Sequence, residues 1–495
     1  MLTALVAAVG VLLGLVHALA VKPGLMDESL PLVAAERVLA GELPYRDYFT
    51  LYPPLTTYLE AALFLVAPHS FLAARLLFLA IAGVGFAVLT RLAMALAQDV
   101  RKGAIVGFIA ALGQGPPLFG YALDLAAVIV LAAFLAALRA RDGKRRWLVV
   151  TGALLGLASL ARHDVATWAA LPILGSILAF ERHRGGTRSA FAAVGIVVGV
   201  ASVPPLAFVA FMVSRHAGGE MWDQLVRFSR LYSKARRLPF PLPWEYGSFC
   251  WFYGPLVVGV LAGIETICRR RLEDARTTID GLAAAVFPLV LAGSAFVRCD
   301  SEHMYAARLA SFLGLAVLVR RDLSARKPPA LTLALILVLV TAGVELRSAA
   351  DELAELRAGV VFDRWQSPEL RDALALVATR PPGSRIYVGL RRHQRFYVND
   401  ARFYFLARAI PAARYHELVP LVASEPEVQA EIARDIERWR APFVVLVDLS
   451  SDDDPEPNAS ATVFPVTTLD DYIDRAYEPA LETENYRVLR RRPGR

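Results

Sequence analysis

The chain has 495 residues, 56% of them hydrophobic, with a mean hydropathy of +0.45 and a net charge of +7. That balance excludes an ordinary soluble domain and a disordered chain, and it fits a polytopic membrane protein. Three cysteines (Cys250, Cys268, Cys299) without C-x-x-C spacing exclude a disulfide framework and a thiolate metal centre; Cys250 and Cys299 either pair or stay free.

A helical span needs about 20 mostly apolar residues, and only helices or closed barrels satisfy their backbone groups in lipid. The first apolar run, Met1 to Val21, ends in Ala18-Leu19-Ala20, which resembles a signal-peptidase site. Its length, and the lack of Lys or Arg ahead of it, read instead as an uncleaved span. The loop 22–58 follows and opens on two adjacent acids, Asp27 and Glu28. Leu30 to Ala40 predicts a short helix that Gly41 terminates. Then come Pro44, Tyr45, Arg46 and Asp47, and Tyr52-Pro53-Pro54. The plain reading of the acids is a solvated loop, but an ionisable residue at a membrane surface is a functional candidate. Tyr58 to Ala67 is too short to span and is expected along the membrane surface.

Further spans are expected at 71–97, 103–118, 121–138, 147–161, 166–180, 190–213, 249–267, 279–297, 304–319 and 329–345, about eleven with 2–21. The segments Gln98–Lys102, Arg139–Arg146, Glu181–Arg188, Arg269–Arg276 and Arg320–Lys327 are rich in Arg and Lys and alternate with the other loops. The positive-inside rule puts them, and the N-terminus, in the cytoplasm. Outside lie the Asp27 loop and the segments Gln114–Tyr121, Arg162–Asp164, Ser214–Ser248 and Arg298–His303. Ser214–Ser248 and its edge are basic and aromatic, with Trp222, Tyr232, Lys234, Arg236, Arg237, Trp244, Tyr246 and Trp251. An interfacial belt is the plain reading; contact with a lipid-linked phosphate, or a cover over a site, is the functional one.

Beyond about Arg347, charged helices (Asp351–Ala358, Pro368–Ala378, Pro426–Arg440) alternate with strand candidates (Arg385–Val388, Phe443–Val447, Tyr486–Leu489). Ser450 to Pro465 reads as an acidic loop, and Asn458-Ala459-Ser460 as a chance sequon. The expected architecture is mainly α. A polytopic transmembrane helical bundle covers 1–345, and a small extracytoplasmic α/β domain covers 346–495.

The loop resembles the first outer loop of the GT-C class of membrane glycosyltransferases, in the branch of protein O-mannosyltransferases, the aminoarabinose transferase of lipid A and RgtA-type sugar transferases. Asp27-Glu28, Gly41-Glu42-Leu43-Pro44-Tyr45-Arg46-Asp47 and Tyr52-Pro53-Pro54 fall in that family's order. The segment Tyr387–Pro420, with His393, Asn399-Asp400, Tyr404-Phe405-Leu406 and Arg414-Tyr415, resembles the C-terminal region of RgtA-type transferases. The resemblance implies a multi-pass plasma (inner) membrane enzyme. It would pass a hexosyl or pentosyl group, with inversion, from a polyprenyl-phosphate carrier to a lipid, polysaccharide or protein hydroxyl outside the cytoplasm.

A phosphate leaves as a stable anion, so only the acceptor hydroxyl needs a base, unlike glycoside hydrolysis with its two flanking carboxylates. Cations must hold the donor phosphate. By its place in the pair, Asp27 is the base, with Glu28 the second choice or an orienting partner. Candidates for donor-phosphate or acceptor binding are Asp124, Arg162, His163, Arg298, His303 and Arg308, with Tyr45 and Tyr52 from the loop. Arg308 and Arg298 are favoured for the phosphate. Structural alternatives are a helix cap at Asp124, self-pairing of Arg162 with Asp164, and pairing of Arg298 with Asp300 or Glu302. No Gly-rich phosphate loop is present and, outside the acidic loop with Asp452-Asp453-Asp454, no D-x-D motif of the nucleotide-sugar enzymes is evident. A nucleotide sugar would also lie on the wrong side of the membrane, so position favours a lipid-phosphate donor. No metal-ligand set is expected, although a divalent cation at Asp27 and Glu28 stays open. No nucleic-acid partner is implied. A transporter or flippase of a lipid-linked saccharide is the competing reading; it predicts two repeated halves with Gly/Pro-broken spans, and no such repeat is visible. A non-catalytic assembly partner with this fold is a third.

Overall fold

The computed structural model describes residues 1–244, 249–320, 329–358, 366–394, 399–448, 458–459 and 462–493. Tyr246, residues 321–327 of the last basic loop, 395–398, the acidic stretch 450–457 and Ser460 of the sequon lie outside the described residues.

The apolar runs are helices at the expected places. They begin with α1 (Leu2–Ala20), and two loop helices follow, α2 (Ser29–Leu39) and α3 (Leu55–Phe64). Next come α4 (Phe71–Ala97), α5 (Val100–Gly113), α6 (Ala122–Ala140), α7 (Arg146–Ala161) and α8 (His163–Ser214). The 52 residues of α8 bend at Gly186 and cover both spans expected there. The short α9 (Gly218–Trp222) and α10 (Ser229–Ala235) lie in the long basic loop; α11 (Gly254–Arg269), α12 (Ala275–Leu291), α13 (Tyr305–Leu318) and α14 (Pro329–Arg357) complete the bundle. Among the described residues, seven helical segments are long and apolar enough to cross a membrane, so the chain is a multi-pass membrane protein.

The starts of α4, α5 and α12 carry side-chain caps for their orphan N–H groups. Ser70 Oγ accepts from Ala73 N, Asp99 from Arg101 N and Lys102 N, and Asp274 from Thr277 N. The bundle core is built around α6, α12 and α13, and Phe134 of α6 meets Phe287 of α12 at 4.8 Å. α14 differs from expectation: it runs unbroken past residue 345, so the helix expected separately at 351–358 is its continuation. The three cysteines are free thiols.

The C-terminal elements are α15 (Pro368–Ala378), β1 (Tyr387–Leu390), α16 (Ala401–Leu406), α17 (Pro426–Arg438), β2 (Phe443–Val447), α18 (Thr468–Ala476), β3 (Tyr477–Glu482) and β4 (Tyr486–Arg491). They form one sheet of order β1-β2-β4-β3, with β1 parallel to β2 and the other pairs antiparallel. β3 was not expected because Pro479 breaks a strand pattern. It sits at the sheet edge, where a proline and a register shift are tolerated.

This domain does not close its core alone. Leu32, Val33, Phe49, Phe64 and Phe71, from the first loop and its flank, pack into it. Phe49 stacks on Tyr415 at 5.1 Å and Phe71 meets Phe405 at 4.5 Å. Polar ties reinforce the seam. Arg37, 2% exposed, pairs with Glu42 and donates to the carbonyls of Asp47 (2.8 Å) and Ala413 (2.9 Å). The end of α2 makes this possible. Gly41 at φ 86° lets Gly41 N–H reach Val38 O and Glu42 N–H reach Arg37 O, which turns Glu42 back toward Arg37. Arg37→Ala is expected to lower stability by about 3 kcal/mol, since it strips a buried network of its cation; an unchanged thermal midpoint would show that the apolar seam suffices.

Candidate active site

The last carbonyls of α1 have no helical partner. Arg75, in the first turns of α4 and 1% exposed, supplies one: its guanidinium donates to Ala18 O (2.6 Å) and Val21 O (2.8 Å). The same group grips Glu28 at both oxygens (2.5 and 2.8 Å) and lies 5.0 Å over the Phe119 ring. Glu28 Oε2 also accepts from Gly24 N (2.8 Å), so residues 24–28 wrap around one buried ion pair. Gly120 presses against this wrap. A Cβ there would come within 3.0 Å of the Asp27 and Glu28 backbone, and φ is 73°, so the position demands glycine.

Glu28 is thereby engaged, and Asp27 is the acid of the pair that faces open space. It borders a cavity of about 370 Å³ whose wall includes His17, Lys22, Tyr232, Arg236 and Glu302. It also borders a separate chamber of about 40 Å³ that reaches Thr56, His416 and Glu417. The Asp27 side chain is open to these spaces, yet protein surrounds it on nearly every side, and the second fact governs its ionisation. Burial raises its pKa above the ordinary carboxylate value, against the pull of His303, Arg236 and Arg298.

Two more acids face it. Burial, with Asp27 and Asp300 nearby, pushes Glu302 up to about 7. Burial and the Asp27 charge push Glu417, from the C-terminal domain, up to about 8. Asp300 behaves oppositely. Burial alone would raise it, but hydrogen bonds from His303 and the Arg298 charge hold it down to about 2.

The expected residues divide. His303 Nδ1 lies 2.7 Å from Asp300 Oδ1 and its Nε2 lies 3.1 Å from the Tyr121 hydroxyl, so it braces the cavity wall. Arg298 pairs with Asp300 at 2.6 Å behind it. Tyr52 lines the small chamber edge-on to Tyr121. Arg162 pairs with Asp164 at 3.0 Å and supports Tyr121 from behind, 5.3 Å from its ring.

The other four do not join the site. Arg308 belongs to a different crevice, stacked 4.2 Å over Trp251, with its NH2 donating to Gln114 O at 3.3 Å. The continuation of α14 brings Glu345 beside it at 3.8 Å. Asp124 is buried and accepts from Leu118 N (2.7 Å), which fastens the 118–121 turn. His163, the first residue of α8, is exposed. Tyr45 is fully buried, with its hydroxyl on Tyr52 O at 2.9 Å. Sequence reasoning gave no site role to Lys22, Arg75, Glu302, His416 or Glu417. It named Arg236 and Tyr232 only as members of a basic aromatic loop; both line the main cavity. Trp222 and Trp244 of that loop point outward, 65% and 78% exposed.

Among the described residues no three His, Cys, Asp or Glu side chains converge to hold a metal ion. Glu28 is committed to Arg75, so Asp27 and Glu28 do not form a ligand pair.

The sequence matches no family model and no curated protein. The fold does match solved structures. ArnT from Cupriavidus metallidurans, bound to undecaprenyl phosphate, is similar with a TM-score of 0.59 at 14% identity, over 99% of this chain and 98% of that one. An Archaeoglobus fulgidus oligosaccharyltransferase in its apo form gives 0.55 at 13% identity, over 90% of this chain and 69% of that one. The arabinofuranosyltransferase AftD from mycobacteria gives 0.51 at 16% identity; the match takes in 99% of this chain but only 39% of AftD. The chain has the fold of the GT-C glycosyltransferases. The helical bundle and the small C-terminal sheet domain both fall within the ArnT match.

The two acids are expected to separate by stability. An acid whose pKa is raised on folding costs stability once the pH passes its unfolded value. Asp27→Asn therefore leaves the thermal midpoint at pH 7 unchanged or higher. Glu28→Gln breaks a buried pair and lowers stability by about 3 kcal/mol. Equal losses in the two variants would contradict this division.

Proposed function

We propose that the protein is an inverting glycosyltransferase that moves a sugar from a polyprenyl-phosphate carrier to a hydroxyl acceptor in the cell envelope, on the extracytoplasmic face. The observation that carries the reading is Asp27, one open carboxylate between a cation-bearing cavity and a second small chamber. Lys22 and Arg236 are the cations for the carrier phosphate in the large cavity, and they offset the charge that builds on it as its bond to the sugar breaks. Asp27 takes the proton of the acceptor hydroxyl. The oxygen bonds to the anomeric carbon from the face opposite the phosphate, and polyprenyl phosphate leaves, so the anomeric centre inverts. A carboxylate lifted above its usual pKa is the better proton acceptor for this step. Glu28 and Arg75 position the base without touching the reacting atoms.

The fold likeness to ArnT bound to undecaprenyl phosphate supports a carrier of that kind. The Arg- and Lys-rich segments at the far ends of the spans support a cytoplasmic N-terminus and an extracytoplasmic site. The test is release of polyprenyl phosphate by the purified protein from synthetic donors bearing arabinose, mannose, galactose or glucose. Turnover with one donor is expected, reduced about 10²- to 10⁴-fold in Asp27→Asn. Arg236→Ala and Lys22→Ala are expected to raise the donor KM. Wild-type turnover in Asp27→Asn would remove Asp27 as the base. Flipping of a lipid-linked saccharide in liposomes without turnover would favour a transporter.

A further inference from the structure

The chamber behind Asp27 has features that the donor side of the reaction leaves unexplained. Its volume is about 40 Å³, room for roughly three waters at 10–15 Å³ each. A sugar ring does not fit there; a –CH₂OH arm does. Its walls hold two buried polar atoms with no hydrogen-bond partner among the described residues, Thr56 Oγ1 and His416 Nδ1, on side chains 4% and 2% exposed. Such groups are costly unless a ligand or water satisfies them. Glu417 completes the polar set, and the rings of Phe49, Tyr52 and Tyr121 form an apolar rim suited to the C–H faces of a saccharide.

The C-terminal domain holds this corner rigidly. Asn399, fully buried, donates to His416 O at 2.8 Å, and the His416 ring packs edge-on to Tyr48 at 5.8 Å. Resting on the transferase reading above, we propose that this chamber is the acceptor subsite, and that it receives the hydroxymethyl arm of an acceptor sugar. Thr56, His416 and Glu417 are its positioning residues, and Asp27 faces the incoming primary hydroxyl. The charged and titratable groups facing Glu417 are Asp27 and Tyr232, with His416 beside it in the chain. Glu417, pushed up to about 8, is a neutral acid at pH 7 and adds no second charge beside Asp27.

The experiment uses the full chain with whichever polyprenyl-phosphate donor turns over, and scores sugar transfer against donor hydrolysis by water. Methyl glycosides with an intact –CH₂OH arm are compared with their 6-deoxy counterparts and with a serine peptide. The intact glycosides are expected to accept sugar and the 6-deoxy forms to fail by at least about tenfold, as when a site built for a hydroxyl meets an analogue without it. His416→Phe and Thr56→Val are expected to cut the transfer-to-hydrolysis ratio by about tenfold through the acceptor KM. Glu417→Gln should preserve more of that ratio than Glu417→Leu, and should lose the wild-type decline above about pH 8. Because hydrolysis is read in the same tube, a misfolded variant is recognised by loss of both activities. Equal use of 6-deoxy glycosides, or an unchanged ratio in all four variants, overturns the proposal. So does acceptance by the serine peptide alone, which would move the acceptor to protein. A wild type that turns over no donor defeats the transferase reading itself, a distinct failure.

Discussion

Arg75 is a buried guanidinium, and a charge removed from water needs anionic and carbonyl partners around it. It finds them in the end of α1 and in Glu28, which joins the first span to the loop that follows. The tie has a chemical consequence. Of two adjacent acids, one is neutralised inside the fold, and the other is turned to the cavity with its pKa raised. Removing the clamp would free Glu28 and let the 24–28 turn relax, and the geometry of Asp27 depends on that turn. Gly120 completes the arrangement, because only a residue without a side chain lets the next turn press against the Asp27–Glu28 backbone.

The second constraint is that the loop and the C-terminal domain share one core. Leu32 and Val33 of α2 and Ala61 and Phe64 of α3 pack into the core of the sheet domain and would lose that cover without it. The domain in turn draws aromatic partners from the loop and its flank, Phe49 for Tyr415 and Phe64, His69 and Phe71 for Phe405. Each half buries what the other leaves open, and the hydrophobic effect welds them. His416 and Glu417 reach the far side of Asp27 for this reason. A site begun by the second turn after α1 is finished about 390 residues later in the chain.

Much of the fold was legible. Apolar runs of span length have few alternatives in a bilayer, so the helices and their order follow from the sequence. Strands β1, β2 and β4 were visible as short apolar runs, whereas β3, interrupted by Pro479, was not. The site was legible only in part. The Asp27-Glu28 pair and Tyr52 stood out in the loop motif, and Arg298 and His303 as polar residues at the same membrane face. Arg308 stood out for the same reason but faces Trp251 and Glu345 instead. A residue's depth in a span can be read from its sequence position; its azimuth in a packed bundle cannot, because neighbouring helices decide it.

The sequence by itself determined what one stretch of chain can decide: apolar length, helix ends such as Gly41, and an acid pair beside a membrane surface. Tertiary structure alone decided which acid is free, which cations it meets, and that a C-terminal segment closes its chamber. The physical reason is range. Hydrophobic periodicity and capping act within a few turns of helix. The Arg75–Glu28 pair and the Asn399 bond to His416 O join residues 47 and 17 positions apart, and the Arg37 bond to Ala413 O spans 376. No local pattern announces such partners; packing selects them.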